Sequence, residues 1–346
     1  MSNDMYILDP CTSDEWLTFI NTHPDAGIFH HPAWMNMLRD IYGYRIFAVC
    51  LKDGLTISAG IPFADVRSVI TGRRWVSLPF SDHCQPLLPP GNPEAFDTLL
   101  GYLKRQQGTE APRIEIRWGS GHQDSVYQQE GFVVHSLELL DRDEESLFKS
   151  FNQQAQRSIR KAEKAGVTVR ECSTFGEFES FYRLLVLTRK RLGVPAQPIS
   201  FFKGVWDHII GGGLGFALIA YDNATPIGGG VFFTFNRTMF YKYGASDLTH
   251  KALQPNYAFM WSAIKRAVSE GYMSFDFGRS DKANEGLRRF KSGWSSEETN
   301  LAYTIIADKP PRDGPSTIDV IAGAVIRNSP AFVCRVAGEL LYKHFA

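Results

Sequence analysis

Residues 271–294, GYMSFDFGRSDKANEGLRRFKSGW, form the stretch around which we interpret the rest of the chain. Its segment MSFDFG alternates apolar and polar residues, which is the period of a half-buried strand. Gly278 ends this alternation and allows the backbone to turn. Asp276 lies between two phenylalanines, so its carboxylate needs a partner to offset the cost of burial.

Arg279 follows this strand at once, and after a polar loop come Arg288, Arg289 and Lys291. A strand end, a glycine turn and clustered cations are the components of an anion-binding site. The alternative is structural: Asp276 pairs with Arg279, and the other cations form a solvated basic turn, since structural ion pairs are common.

The composition is that of an ordinary globular protein. A length of 346 residues predicts two domains, each with its own core. Hydrophobic residues make up 44% and charged residues 21%, which is typical of soluble proteins. The formal net charge is zero, which argues against a general nucleic-acid binder but leaves room for a local basic groove.

The five cysteines are scattered and include no C-x-x-C pair. This pattern argues against a disulfide framework and a zinc site, so we expect no metal and a reducing compartment. We see neither a signal peptide nor an apolar stretch of membrane-spanning length. The sequence therefore predicts a cytoplasmic protein.

Both halves of the chain show the same order of predicted elements. The first half has helices at 11–22, 29–44 and 94–107, and strands at 45–53, 55–66, 73–80 and 113–119. The second half has helices at 146–167, 174–193 and 257–271, and strands at 214–222, 226–236, 238–246 and 273–278. The repeated order predicts two copies of one α/β module. A chance match is the alternative, because strand–helix alternation is common.

We expect a first domain at 1–145, a second at 146–310 and a C-terminal helical tail at 311–346. Asn328, Ser329 and Pro330 interrupt the tail and divide it into two helices. The second helix has an apolar stripe opposite its charged residues; the stripe comprises Phe332, Val333, Val336, Leu340 and Leu341. Such a stripe predicts packing on the protein or on a dimer partner, and the alternative is an amphipathic helix lying on a membrane.

Once the order of the predicted elements is known, several short sequence motifs show a resemblance to a protein family. They are RSIRKAEKAGVTVRE (157–171), TRKRLGVPAQP (188–198), PIGGGVFF (226–233), YKYGASD (241–247), FDFGRS (275–280) and FKSGW (290–294), with FHHPAWMNML and LPFSDHCQPLL in the first half. Each motif is weak alone, but their order and spacing are specific. Over about residues 10 to 305 the sequence resembles the FemAB family of aminoacyltransferases, in particular the acyltransferases found with bacterial exopolysaccharide gene clusters.

This resemblance implies an α/β (α+β) fold of two tandem GNAT-like domains, each a mixed, mostly antiparallel sheet flanked by helices. It implies transfer of an acyl or aminoacyl group to an amine of a cell-envelope precursor, such as one of peptidoglycan or exopolysaccharide. The donor would be acyl-CoA or aminoacyl-tRNA, with no permanently bound cofactor. The partners would be a nucleotide- or lipid-linked sugar acceptor and tRNA.

In GNAT-like folds the donor and acceptor meet where the central strands separate, which the family comparison places beside YKYGASD and FDFG. Asp276, Asp247 and Tyr243 are then candidates for proton handling. Lys242, Arg279 and Lys291 are candidates for contacts with a phosphate or an oxyanion, and Arg289 and Trp294 accompany them. Since Tyr241 and Tyr243 alternate with Lys242, only one set can face the site, and the sequence does not choose between them.

Two further groups are candidate substrate contacts. Arg157, Arg160 and Lys161 lie close together on one predicted helix, as a second phosphate clamp or as a solvated face. Asp82 and His83 close a strand at the place in the first domain that corresponds to Asp247. His83 could act as a general base near neutral pH, or it could be a loop histidine.

One departure from the acyl-CoA-dependent enzymes concerns residues 248–261, LTHKALQPNYAFMW. Those enzymes usually carry a glycine-rich loop here, whose N–H groups bind the pyrophosphate. This segment has no glycine, and Pro255 lacks a donor. The departure favours an aminoacyl-tRNA donor or a different mode of CoA binding. The alternatives are a CoA-dependent N-acetyltransferase of a small amine or amino sugar, and a non-catalytic module that binds a glycan or a partner.

Overall fold

The computed structural model describes residues 5–119, 126–311 and 317–344, without the side chains of 317–320. The strands are β1 Met5–Leu8, β2 Arg45–Asp53, β3 Thr56–Ser68, β4 Gly72–Val76, β5 Arg113–Ile116, β6 Val126–Glu138, β7 Thr168–Glu171, β8 Gly215–Asp222, β9 Thr225–Phe235, β10 Thr238–Ser246, β11 Ser274–Asp281 and β12 Glu297–Ala307. The α-helices are α1 Asp14–Thr22, α2 Pro32–Tyr42, α3 Glu94–Gln106, α4 Glu144–Ser150, α5 Gln153–Lys164, α6 Phe175–Leu192, α7 Ile199–Gly204, α8 Pro255–Ser269, α9 Glu285–Ser292, α10 Thr317–Asn328 and α11 Ala331–Leu341.

The chain forms two compact units. The first comprises Met1–Phe132, Asn300–Asp313 and Lys343–Ala346. The second comprises Val133–Thr299 and Gly314–Tyr342, so it includes both helices of the predicted tail. Strands β6 and β12 each carry the chain from one unit to the other.

The two units repeat one strand arrangement. The first has the order β1-β2-β3-β4-β5-β12, antiparallel except for the parallel pair β4 and β5. The second has the order β7-β8-β9-β10-β11-β6, in which β10 and β11 are the parallel pair. In each unit a helix, α3 or α8, connects the parallel strands. The predicted mixed, mostly antiparallel sheets flanked by helices are confirmed.

Capping residues explain where the first helices begin and end. Ser13 caps α1 by accepting a hydrogen bond from the N–H of Trp16. Pro32 opens α2, and Gly43 ends it in the left-handed region at φ +70°. His31 caps α2 through a ring nitrogen that accepts from the N–H of Ala33.

Two predicted elements are shorter than expected. The helix predicted over 146–167 is interrupted at Phe151, because the side chain of Asn152 accepts the N–H of Ala155 and starts a new helix. The strand predicted over 73–80 ends at Val76, because Leu78 and Phe80 have φ values of 63° and 62°, which no extended strand tolerates.

Three consecutive glycines in β9, at 228–230, allow α8 to pack closely on the sheet of the second unit. A Cβ atom on Gly228 would lie 2.8 Å from Cβ of Pro255. A Cβ atom on Gly230 would lie 2.9 Å from the ring of Phe259. The glycines therefore fix the position at which α8 begins on the sheet.

The buried side chain of His30 in the first unit is expected to make the protein less stable in acid. Its Nδ1 accepts the N–H of Gly27, and its Nε2 lies 2.9 Å from the carbonyl oxygen of Gln85. Burial lowers the pKa of His30 to about 4, so the unfolded chain binds an extra proton between that value and about 6.5. The free energy of unfolding is therefore highest above pH 6.5 and falls by roughly 3 kcal/mol as the pH drops to 4.

Urea unfolding from pH 4 to 7 measures this effect. We expect the free energy of unfolding to fall more steeply with decreasing pH for the native protein than for His30→Gln. Glutamine keeps an amide near Gln85 but cannot titrate. Equal slopes for the two proteins would show that His30 does not contribute to acid sensitivity.

Candidate functional site

The two parallel strands of the second unit separate after a short ladder. Only three residue pairs join β10 to β11, from Thr238 with Ser274 to Phe240 with Asp276. Both strands then continue, β10 to Ser246 and β11 to Asp281. Pairing between two central strands of the sheet therefore ends while both strands continue, which leaves a gap between them.

The corresponding place in the first unit is bridged instead. The N–H of Ser77 donates to the carbonyl oxygen of Glu115 at 2.8 Å, and the N–H of Arg117 donates to the Ser77 hydroxyl at 2.7 Å. The Arg117 guanidinium binds the carbonyl oxygen of Ser81, and the N–H of Cys84 donates to the Arg117 carbonyl. These bonds hold the segment after β4 against β5, so the candidate site lies in the second unit.

A β-bulge at Lys242 decides which way the two tyrosines of β10 point. Tyr241 pairs with Phe232 and Tyr243 with Val231, so Lys242 is the extra residue. The Tyr241 ring packs on Phe232, and the Tyr243 ring packs on Phe233. Since successive residues of β9 point to opposite faces, the tyrosines lie on opposite faces of the sheet. The expectation that both share one face is wrong, because the bulge breaks the alternation.

Asp276 lies where β11 leaves β10. Phe275 and Phe277 are buried in the core of the second unit, whereas Asp276 is half-buried between them. Gly278 adopts φ +69°, and its N–H donates to the Asp276 carboxylate at 2.6 Å. The glycine turn thus supplies a hydrogen bond that offsets the cost of placing this carboxylate in the strand.

Lys291 is the most deeply buried cation of the predicted cluster, with 2% of its surface exposed. Asn284 caps α9 by accepting the N–H of Leu287, and the resulting helix directs Lys291 inward. Its ammonium donates to the carbonyl oxygens of Gly278 at 2.7 Å and Arg279 at 3.1 Å. A positive charge is therefore fixed against β11 just beyond the point of separation.

The other cations of the cluster have different environments. Arg288 forms a two-pronged ion pair with Glu298, with nitrogen–oxygen distances of 2.7 and 2.9 Å. Arg289 is exposed, and Arg279 is half-buried on β11. The dense run of cations in the sequence thus separates in three dimensions.

Asp247 caps the 3-10 helix Leu248–Leu253 that follows β10. Its carboxylate accepts the N–H of Thr249 at 2.9 Å and lies 3.3 Å from Nδ1 of His250. The bond from Thr249, together with His250, lowers the pKa of Asp247 below its usual value. This lowered pKa makes Asp247 a weak proton acceptor near neutral pH.

The start of α8 has the geometry expected from its sequence. Gln254 lies in the left-handed region at φ 59°, and Pro255 occupies the first helical position. The N–H groups of Tyr257 and Ala258 both donate to the carbonyl oxygen of Gln254. These two donors are directed into the helix turn rather than toward a ligand.

Arg157, Arg160 and Lys161 are all exposed on α5. Arg157 bonds back to Gln153, and the Arg160 guanidinium lies 5.0 Å from the centre of the Phe148 ring. These contacts hold Arg157 against α5 and Arg160 against the preceding helix α4, while all three side chains remain exposed.

Two candidates occupy apolar surroundings. In the first unit His83 packs edge-on against Phe29 and Trp118, and the carbonyl oxygen of Asp82 accepts the hydroxyl of Tyr303. In the second unit Trp294 is fully buried in the core and contacts three other aromatic rings, those of Phe151, Tyr257 and Phe290.

His135 on β6 was not predicted from the sequence. Its ring is fully buried, and Nε2 lies 3.1 Å from the Glu298 carboxylate and 3.3 Å from the Ser292 hydroxyl. Burial, followed by the charge of Lys291, lowers the pKa of His135. The lowered pKa favours the neutral form of this imidazole near pH 7. No strand was predicted over β6, so the sequence offered no signal that would place His135 near the candidate site.

The class of fold follows from the two modules and from the separated central strands of the second. A family model described as "Acetyltransferase (GNAT) domain" matches residues 149–292, which contain β10, β11 and Lys291. The predicted class of tandem GNAT-like modules is thus confirmed, with the recognised domain in the second unit. No protein of curated function matches the sequence.

Solved structures show the same fold at low sequence identity. The structure titled "Crystal structure of FemX" is 15% identical with a TM-score of 0.68, covering 87% of this chain and 96% of its own. A tandem GNAT protein from the clavulanic acid biosynthesis pathway is 12% identical with a TM-score of 0.54, over 90% and 100% of the chains. The C-terminal domain of a putative lysylphosphatidylglycerol synthetase from Agrobacterium fabrum is 11% identical with a TM-score of 0.53, over 94% and 95%.

The described residues contain no group of three or more His, Cys, Asp or Glu side chains placed to hold a metal ion. None of their helices combines the length and the apolar character needed to cross a membrane.

Proposed function

We propose that the protein transfers an acyl or aminoacyl group to an amine of a bacterial cell-envelope or exopolysaccharide precursor. The observation that carries the proposal is the separation of β10 from β11, with the buried Lys291 ammonium fixed against β11 where the gap begins. The match of residues 149–292 to a GNAT domain supports acyl transfer.

In direct transfer the amine attacks the donor carbonyl and loses a proton, and the carbonyl oxygen gains negative charge in the tetrahedral intermediate. The intermediate then breaks the bond to the tRNA hydroxyl oxygen or the CoA sulfur, and this leaving group takes up a proton. In our proposal the Lys291 charge stabilises that oxyanion, and its bonds to two backbone carbonyls hold it in place. Asp276 is the preferred proton acceptor, since Asp247 is a helix cap with a lowered pKa. The buried Tyr243 is the remaining candidate for proton handling.

We propose aminoacyl-tRNA as the donor, with acyl-CoA as the alternative. The start of α8 supports this choice, because Pro255 has no N–H and the N–H groups of Tyr257 and Ala258 bond to the Gln254 carbonyl oxygen. A pyrophosphate would therefore find few free backbone donors at this helix. The exposed cations of α5 are available to tRNA phosphates.

We propose a nucleotide- or lipid-linked sugar as the acceptor. The sequence resemblance to FemAB proteins, including those encoded with exopolysaccharide genes, supports an envelope precursor. The structural similarity to FemX and to a putative lysylphosphatidylglycerol synthetase is consistent with it. The presence of Arg279 on β11, three residues after Asp276, supports an anionic group on the acceptor.

Calorimetric titration with acetyl-CoA and with a UDP-linked amino sugar, followed by assays with labelled aminoacyl-tRNA, tests this function. We expect the nucleotide sugar to bind and to become labelled from aminoacyl-tRNA. Saturable acetyl-CoA binding with acetyl transfer would establish the CoA-dependent alternative. A folded protein that transfers from neither donor would support the non-catalytic alternative.

Arg279→Glu tests the acceptor site. If Arg279 contacts the acceptor, this change weakens nucleotide-sugar binding at least tenfold, because it replaces attraction to phosphate by repulsion. The melting temperature should stay close to that of Arg289→Glu, the matched change at an exposed cation of α9. A lowered melting temperature with unchanged affinity would instead identify Arg279 as a structural partner of Asp276.

A further inference from the structure

The two C-terminal helices expose a row of apolar side chains. On α11, Phe332, Val336 and Leu340 follow one another at intervals of four residues, with Phe332 60% and Leu340 65% exposed. On α10, Ile321 and Val325 have the same spacing and are more than half exposed. Residues at this interval lie on one side of a helix.

The opposite sides of both helices are fixed to the second unit through small residues. Gly338 lies so close to Ala196 that a Cβ atom would be 1.6 Å from the Ala196 carbonyl oxygen. Cys334 is buried, and its Sγ lies 3.3 Å from the Val194 carbonyl oxygen. On α10, a Cβ on Gly323 would lie 3.1 Å from the Gly193 carbonyl oxygen. Two residues along a helix span about 200°, so the exposed rows point away from these contacts.

The end of α6 extends the same apolar surface. Leu187, Leu192 and Val194 are exposed there, next to the residues on which α10 and α11 pack. Eight of the fourteen large apolar residues exposed in the described ranges thus belong to α6, its C-terminal end, α10 and α11. This concentration differs from the scattered exposure that is normal for a soluble surface.

The charges on this surface are almost all positive. Residues 187–194 and 321–342 contain five cations, namely Arg189, Lys190, Arg191, Arg327 and Arg335. Glu339 is the one acidic residue in these ranges, and it lies 3.8 Å from Arg335. Arg327 is directed toward the Leu192 carbonyl oxygen, on the packed side of α10, which leaves Arg189, Lys190, Arg191 and Arg335 as the cations near the apolar rows. Apolar helix surface combined with nearby cations is the pattern of helices that lie in the interface of an anionic bilayer.

A second copy of the chain fits this surface less well than an anionic bilayer does. A symmetric dimer through this surface would place the same patch on both subunits. Cations of the two subunits, such as Arg189, Arg191 and Arg335, would then be brought close together, at a cost in repulsion. A bilayer containing anionic lipid supplies both an apolar phase and the opposite charge.

We propose that α10, α11 and the end of α6 form a surface that binds the protein peripherally to an anionic membrane. The apolar row enters the interface between headgroups and acyl chains, and the cations contact lipid phosphates. The inference rests only on the exposure and charge of these residues, so it does not depend on the acyl-transfer reaction.

Co-sedimentation of the full chain with vesicles tests this surface. We expect binding to phosphatidylcholine vesicles that contain about one third phosphatidylglycerol, little binding to pure phosphatidylcholine, and weaker binding as the salt concentration rises. The double variant Phe332→Ser, Leu340→Ser should reduce the partition coefficient at least tenfold. The matched control Leu55→Ser, Leu140→Ser also removes two exposed leucines, with Leu55 91% exposed, and should bind as the native protein does.

Three results would overturn the proposal. They are no binding to anionic vesicles, equal binding to neutral and anionic vesicles, and native binding by the Phe332 and Leu340 variant. Sedimentation of the native protein as a dimer that this variant dissociates would assign the surface to a protein contact instead. Circular dichroism of each variant establishes that the substitutions leave the fold unchanged.

Discussion

Lys291→Met is expected to lower the rate constant of acyl transfer on the order of 100-fold or more, while the protein stays folded. Methionine keeps the length and apolar stem of the side chain but removes the charge assigned to the oxyanion. It also removes the donor to the carbonyl oxygens of Gly278 and Arg279. We therefore expect a loss of roughly 1–3 kcal/mol in the free energy of unfolding.

Steady-state kinetics with the donor and acceptor identified by the transfer assay separate these effects. The matched control is Arg289→Met, which removes an exposed cation two residues earlier on α9. A fall in kcat with little change in KM would support a role in the transition state. If the two variants retained the same activity, Lys291 would be a structural lysine and the oxyanion assignment would be wrong.

Trp294→Ala is expected to have the largest effect on stability. The side chain is fully buried and contacts the rings of Phe151, Tyr257 and Phe290. Truncation removes these contacts and leaves a cavity, at a cost of roughly 3–5 kcal/mol. Chemical denaturation monitored by circular dichroism measures the loss.

Trp294→Phe provides the conservative comparison. The indole Nε1 of Trp294 has no hydrogen-bond partner among the described residues. Phenylalanine therefore forfeits packing but no hydrogen bond, and we expect a much smaller loss of stability. If Trp294→Ala instead left the stability unchanged and weakened acceptor binding, the predicted substrate contact would be correct and the core role wrong.

The fold was largely predictable because its signals are local. Alternating strands, the Asp53-Gly54 turn and capping residues such as Ser13 and Pro32 each act within a few positions. The repeated order of elements then indicated two modules. Strands β1, β6, β7 and β12 were not predicted: β1 and β7 have only four residues each, and β6 carries polar residues and Gly131.

The candidate site was harder to predict because it depends on tertiary structure. The bulge at Lys242 reverses the strand alternation, and no local rule places it there. The cations of α9 look equivalent in sequence, yet Lys291 is buried, Arg288 is paired with Glu298 and Arg289 is exposed. Only the packing of the helix decides which of them lies inside.

A structure of the protein with a non-transferable donor analogue, either an aminoacyl-tRNA mimic or a CoA thioether, tests the central claim most directly. We predict that the analogue occupies the gap between β10 and β11, with its carbonyl oxygen within hydrogen-bonding distance of the Lys291 ammonium. An analogue bound elsewhere, with Lys291 still directed only at Gly278 and Arg279, would contradict the assignment of this gap as the acyl-transfer site.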